Sequence, residues 1–161
     1  MSAMPIDVAA AAPRKTRFLQ PGQLAVSAEP MQITTILGSC VAVCLWDSQR
    51  RVGGMNHFML PLFAGAGASS PRFGNVAMAE LLDGIRTAGG RLPFLQARVF
   101  GGACMFEQME STTHLGKKNV DLAIEFLSRN CIEVIQLESG GKRGRKLIYR
   151  TDEGSACLNL I

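Results

Sequence analysis

At 161 residues the chain has the length of one domain, and 47% hydrophobic against 19% charged residues is the balance of a folded globular protein, which excludes intrinsic disorder and a core that needs metals or disulfides to hold it. The net charge of +4 is small, and +2 of it sits within the first twenty residues, where Arg14, Lys15 and Arg17 outweigh Asp7, so composition does not point to nucleic acid. No apolar run approaches the ~18 residues that cross a bilayer.

Residues 1–17 mix Ala, Pro and charge without periodicity and read as a flexible leader, with a single domain over 18–161. Pro5, Asp7 and Pro13 make the N-terminus a poor signal peptide, which implies a reducing cytoplasm and free thiols at positions 40, 44, 104, 131 and 157. Pro21-Gly22 marks a turn, Gln23 to Ser27 a short strand, and Glu29-Pro30 a break before a strand that begins at Met31. The β-branched run Ile33-Thr34-Thr35-Ile36 continues it to Leu37; Gly38-Ser39 interrupts it, and Val41 to Trp46 follows as an apolar strand buried on both faces.

Asp47 to Arg50 supplies a polar turn, Val52 to Leu60 returns as a strand that stops at Pro61, and the pair reads as a hairpin. Residues 61–72 are rich in Gly, Ala, Ser and Pro, a surface loop and a candidate lid. Asn75 predicts a helix cap, with Val76, Ala79, Leu82 and Ile85 on one face and Gly89-Gly90 at the end. Gln96 to Phe100 is a strand, Lys117 to Arg129 a helix presenting Val120, Ala123, Ile124 and Leu127, and Ile132 to Leu137, Lys146 to Arg150 and Cys157 to Ile161 are further strands. Strands outnumber helices more than two to one, with consecutive strands at both ends, which favours an α+β fold over alternating α/β.

A cysteine becomes a nucleophile when it is deprotonated, held still and placed beside a proton carrier. Gly38 permits a sharp bend, Ser39 adds a hydroxyl, and the bend turns amide N–H groups near Cys40 toward a developing oxyanion. A two-residue loop at Ser48-Gln49, or a four-residue loop at Asp47 to Arg50, sets Cys40 directly opposite His57 on one sheet face, with Cβ atoms about 5 Å apart, so that a thiolate and an imidazolium can interact. An odd-length loop, or a bulge at Gly53-Gly54, shifts that pairing. Taken singly, a strand cysteine reads as core and a lone histidine as a satisfied structural residue; the spacing alone leaves both readings open.

The stretch Thr34-Thr35-Ile36-Leu37-Gly38-Ser39-Cys40-Val41-Ala42-Val43-Cys44-Leu45-Trp46-Asp47 resembles the signature of the chemoreceptor glutamine deamidases, the CheD family. So do Gly53-Gly54-Met55-Asn56-His57-Phe58-Met59-Leu60-Pro61, Arg72-Phe73-Gly74-Asn75, Phe100-Gly101-Gly102-Ala103-Cys104-Met105, Gly116-Lys117-Lys118-Asn119-Val120 and Ser139-Gly140-Gly141 followed by Gly144-Arg145-Lys146.

The resemblance implies a layered sandwich of mixed β-sheets with two main helices packed outside, of the CheD and cytotoxic necrotizing factor type of cysteine hydrolase. It also implies a Cys40, His57 and Thr34 triad that converts receptor glutamines to glutamate without metal or cofactor, Gly38 and Ser39 lying at the oxyanion position. Thr35-Ile36 stands where the family often has Leu-Gly, so Thr35 is the alternative orienting residue. The implied partners are the cytoplasmic domains of methyl-accepting chemotaxis receptors and a CheC-type phosphatase, for a cytoplasmic protein recruited to membrane receptor arrays.

Cys104 with His114 forms a rival dyad of lower rank. The cysteines lack CxxC spacing for zinc, and Cys44, Cys104, Cys131 and Cys157 read as core. Gly140 to Lys146 lacks the ending of a phosphate loop and reads as a solvated basic loop that could touch acidic receptor helices. A cysteine hydrolase of other amide or ester specificity, and a non-catalytic chemotaxis adaptor, are the competing functions.

Overall fold

The structure is a computed structural model and describes residues 13–62, 65, 69–104 and 114–161. Nine strands and two α-helices form among the described residues: β1 (Lys15–Phe18), β2 (Leu24–Ser27), β3 (Met31–Leu37), β4 (Val41–Asp47), β5 (Val52–Asn56), α1 (Gly74–Thr87), β6 (Leu95–Gly101), α2 (Leu115–Arg129), β7 (Glu133–Ser139), β8 (Arg145–Arg150) and β9 (Ser155–Leu160). They make one four-stranded sheet in the order β1-β3-β8-β9 and one five-stranded sheet in the order β2-β5-β4-β6-β7. Each sheet mixes parallel and antiparallel pairs, β1 with β3 and β6 with β7 being parallel.

The period of two along β4 shows why the molecule has three layers. Val41, Val43 and Leu45 pack into a core with Ala77, Met78, Leu81 and Ile85 of α1 and with Ala123 and Leu127 of α2. Ala42 and Cys44 point the other way, into a core shared with Ile33, Leu37, Leu147 and Tyr149 of the facing sheet. The five-stranded sheet is therefore the middle layer, which is why β4 reads as an unbroken apolar run. The α+β sandwich with two outer helices is the architecture expected.

Three details depart from expectation. The first strand begins at Lys15, inside the stretch read as a leader, because β1 pairs with β3 and Arg14 bonds Asp152 at 2.8 Å; residues 1–12 lie outside the described residues. Helix α1 is entered through Phe73 with no side-chain cap, and Asn75 lies within its first turn. The free N–H groups of that turn are taken by backbone: Gly74 donates to Leu60 (2.7 Å) and Asn75 to Pro61 (3.2 Å), so no capping side chain is required. The buried face of α1 is Ala77, Met78, Leu81, Leu82 and Ile85, while Val76 is half-buried and Ala79 exposed; a strict spacing of three drifts round the helix and leaves the core. Of the candidate lid, residues 63–64 and 66–68 lie outside the described residues.

Candidate active site

Strand β3 buries Ile33, Thr35 and Leu37 against the middle sheet and turns Thr34 and Ile36 outward, Ile36 being 50% exposed. The hydroxyl that meets His57 therefore belongs to Thr35 and not to Thr34: Thr35 Oγ1 stands 2.6 Å from His57 Nδ1 and donates to the Leu19 carbonyl at 2.8 Å. A hydroxyl has one proton. With that proton on Leu19, Oγ1 accepts from Nδ1–H, and the lone pair of the imidazole is left on Nε2. Nε2 is buried and has no hydrogen-bond partner. The backbone of His57 is pinned as well, its N–H donating to Gln23 (3.1 Å) and its carbonyl accepting from Gly22 (2.7 Å).

The hairpin register is shifted by two residues from the one expected. The loop is Ser48 to Arg51, closed by the pair Asp47 and Val52, and the ladder continues through Cys44 and Met55. Asp47 sets this loop by accepting from the N–H groups of Gln49 and Arg50, while Arg51 takes a left-handed φ of 53°. Beyond the ladder, Val41 and Phe58 exchange both backbone bonds at 3.0 Å, which sets Met59 across from Cys40 and Ala42 across from His57. A shift of two keeps every side chain on its face, so Cys40 and His57 share the inter-sheet face as diagonal neighbours rather than a direct pair, with Cβ atoms roughly 7 Å apart. There is no bulge at Gly53-Gly54; a Cβ on Gly54 would lie 2.7 Å from the Ala25 carbonyl, which is the reason for glycine there.

Between ladder and bridge the pairing is opened by a side chain. Val43 N–H donates to Asn56 Oδ1 at 2.9 Å in place of a backbone carbonyl, and Asn56 Nδ2 reaches Met78 Sδ at 3.3 Å. At the next step lies Cys40, half-buried at the edge of the inter-sheet core. Its carbonyl accepts from Gly102 N–H (2.9 Å), and the carbonyl of Gly38 accepts from Ala103 N–H (2.9 Å). Gly101, at φ 110°, approaches so closely that a Cβ would stand 2.2 Å from the Cys40 oxygen. The carbonyls of Ser39 and Met59 both accept from Asn119 Nδ2 at 3.1 Å, so Gly38 and Ser39 enter the site through their backbones.

Burial raises the Cys40 thiol pKa, opposed by the residue's own amide, and burial pushes the His57 imidazole down to about 4, opposed by the Leu19 carbonyl. The resting pair at neutral pH is thiol and imidazole, where the sequence suggested thiolate and imidazolium. Cys44, on the same face, is fully enclosed and its thiol pKa is driven much further up.

The other sequence candidates separate from this cluster. His114 caps α2, its Nδ1 accepting from Lys117 N–H at 2.9 Å, which gives it a structural role. Cys131 and Cys157 are exposed rather than core, and Cys104 is half-buried. In the basic loop Lys142 and Arg143 are exposed, but Arg145 is buried against the carbonyls of Gly140 (2.8 Å) and Gly101 (3.4 Å) and is not solvated. Sequence reasoning missed Asn56 and Asn119 as contributors; a polar side chain within an apolar strand or on an apolar helix face is the signal that marks both.

A family model described as CheD chemotactic sensory transduction matches residues 59–159, a stretch that begins just after His57 and takes in Asn119. The chain belongs to the CheD family. Among curated CheD proteins, the probable chemoreceptor glutamine deamidase CheD 1 of Anaeromyxobacter dehalogenans (strain 2CP-C) is 49% identical over 144 residues, 89% of this chain and 84% of its own. The probable chemoreceptor glutamine deamidase CheD of Trichlorobacter lovleyi is 44% identical across 91% of each chain, and that of Sulfurimonas denitrificans 36% identical across 90% of this chain and 94% of its own. A solved structure, the hypothetical protein YfiH of Bacillus licheniformis, is similar over 72% of this chain and 49% of its own, with a TM-score of 0.44 at 16% identity. No helix among the described residues is long and apolar enough to cross a membrane.

Proposed function

We propose that this CheD chain is a protein-glutamine deamidase that hydrolyses glutamine side chains of methyl-accepting chemotaxis receptors to glutamate, with Cys40 as nucleophile, His57 as proton carrier and Thr35 as the residue that orients it. The observation that carries the reading is the buried Thr35–His57 hydrogen bond, which leaves an unpartnered Nε2 on the face that Cys40 shares. The names of the relatives supply the substrate.

In the first step Cys40 Sγ attacks the carboxamide carbon while its proton passes to His57 Nε2. The oxygen of the tetrahedral intermediate is stabilised by the Cys40 N–H, at the bend that Gly38 and Ser39 provide. The intermediate collapses by breaking the C–N bond; His57 gives the proton to the leaving nitrogen, ammonia departs, and a thioester remains. Water then attacks the thioester carbon as His57 Nε2 takes its proton; as the C–S bond breaks, His57 returns that proton to the leaving sulfur, and the Cys40 thiol and the new carboxylic acid, which ionises to glutamate, are released. Thr35 keeps Nδ1 protonated throughout and so keeps Nε2 basic.

Recruitment to membrane receptor arrays, and association with a CheC-type phosphatase, belong to the same reading. The test is ammonia release from a receptor cytoplasmic fragment mixed with the purified protein. Wild type releases ammonia in proportion to the glutamines lost and Cys40→Ala does not; a wild type that binds the fragment but releases none supports a non-catalytic adaptor, and release from small amides or esters in preference to the receptor supports a hydrolase of other specificity.

A further inference from the structure

Asn119 lies on the face of α2 that packs against the middle sheet, and its side chain is fully buried. Its Nδ2 donates to two carbonyls on different strands, Ser39 just before Cys40 and Met59 across from Cys40. Two carbonyl acceptors can be met only by the amide nitrogen, so the orientation of the side chain is fixed. The Oδ1 is left buried with no partner. The two bonds that Nδ2 makes hold the side chain in this orientation, at the cost of one unmet acceptor.

The position of the first acceptor has a consequence for the site. The Ser39–Cys40 peptide is planar and trans, so its C=O and N–H point in opposite directions. With the Ser39 oxygen drawn toward α2, the Cys40 N–H is aimed away from α2, toward the inter-sheet face that carries the Cys40 side chain and His57. Among the described residues the Cys40 N–H donates to no backbone carbonyl. The second acceptor ties Met59 to the same amide, which holds together the two strand ends beyond the Val41–Phe58 bridge.

We infer that Asn119 is a positioning residue for the deamidation proposed above: it orients the Ser39–Cys40 peptide so that the Cys40 N–H serves the oxyanion. This rests on the deamidase reading, so the wild-type and Cys40→Ala arms of the ammonia assay are run first. An inactive wild type overturns that reading and, with it, a catalytic role for Asn119.

With an active wild type, Asn119→Ala is compared with Leu127→Ala, a core change about two turns further along α2 that destabilises the helix but removes neither of the bonds to the Ser39 and Met59 carbonyls. Asn119→Ala lowers kcat by about 10- to 100-fold with KM nearly unchanged, as expected when an oxyanion donor is misaligned. Its rate of Cys40 alkylation by iodoacetamide, a reaction that builds no oxyanion, changes less than about threefold. Leu127→Ala, at comparable or lower stability, keeps kcat within about twofold. If Asn119→Ala does not fold, Asn119→Ser, which retains one donor, takes its place with a smaller loss in the same direction. An unchanged kcat in a folded Asn119 variant, or an equal loss in Leu127→Ala, overturns the inference.

Discussion

The two ends of the β4–β5 hairpin are built from the same kinds of strand residue and behave differently. At the turn end the ladder from Cys44 and Met55 to Asp47 and Val52 is continuous, Asp47 caps the loop, and Cys44 is sealed between the sheets. At the other end Asn56 takes the place of a backbone partner for Val43, the strands are held beyond the gap by one bridge and by Asn119, and Cys40 and His57 lie at the core edge. A closed ladder makes a cysteine a small apolar residue. The opened end leaves Cys40 half-buried on the face it shares with His57, its N–H donating to no backbone carbonyl among the described residues.

The largest effect expected from this contrast is on the nucleophile. Cys40→Ala lowers deamidation by at least about 10³-fold while receptor binding persists, whereas Cys44→Ala leaves kcat within about twofold and lowers only the melting temperature. Steady-state ammonia release and a thermal melt on each variant check both halves, and loss of activity in both variants alike would erase the distinction between the two ends.

Next in size is the pH dependence of stability. Folding pushes the His57 pKa from its ordinary 6.5 down to about 4, so between these values the unfolded chain binds a proton that the folded chain does not. Stability is therefore full above pH 6.5 and falls by about 3 kcal/mol as the pH drops through that window. Urea melts at pH 7 and pH 4.5 should show a loss in wild type that shrinks in His57→Gln; equal losses in both would mean that His57 titrates normally.

Smaller is the effect of the orienting hydroxyl. Thr35→Val costs roughly 10- to 100-fold in kcat, the value of one hydrogen bond to a group that becomes charged, and Thr34→Val stays within about twofold. The reverse order would restore the triad suggested by the family spacing. Smallest is the surface effect: reversing the charge of the exposed Lys142 and Arg143 slows association with an acidic receptor fragment a few-fold at low salt, and less at high salt. Stopped-flow rates that do not change would remove that loop from the binding surface.

How much of this the sequence revealed depends on whether the answer was local. The strands of the hairpin and the helix at Leu115–Arg129 were legible because their apolar periods are local. The face of Thr35 was legible in principle, since the inward Ile33 and Leu37 fix its parity, but the repeated threonines left the family spacing to choose Thr34. The register was misjudged by two because the Asp47 side chain, not the strand pattern, decides where the loop closes. The start of α1 was misplaced because its cap is the backbone of Leu60 and Pro61, distant in sequence from the helix they satisfy. Asn56 and Asn119 act across elements, and a one-dimensional pattern does not show which carbonyl or amide a buried amide side chain will meet.

The most direct measurement is peptide mass spectrometry of a receptor cytoplasmic fragment after incubation with the protein. Wild type should convert specific glutamines to glutamate, seen as the mass increase of amide to acid at those sites, and Cys40→Ala should leave every glutamine intact. Conversion by Cys40→Ala at the wild-type rate, or no conversion by a wild type that binds the fragment, would contradict a cysteine deamidase built on Cys40 and His57.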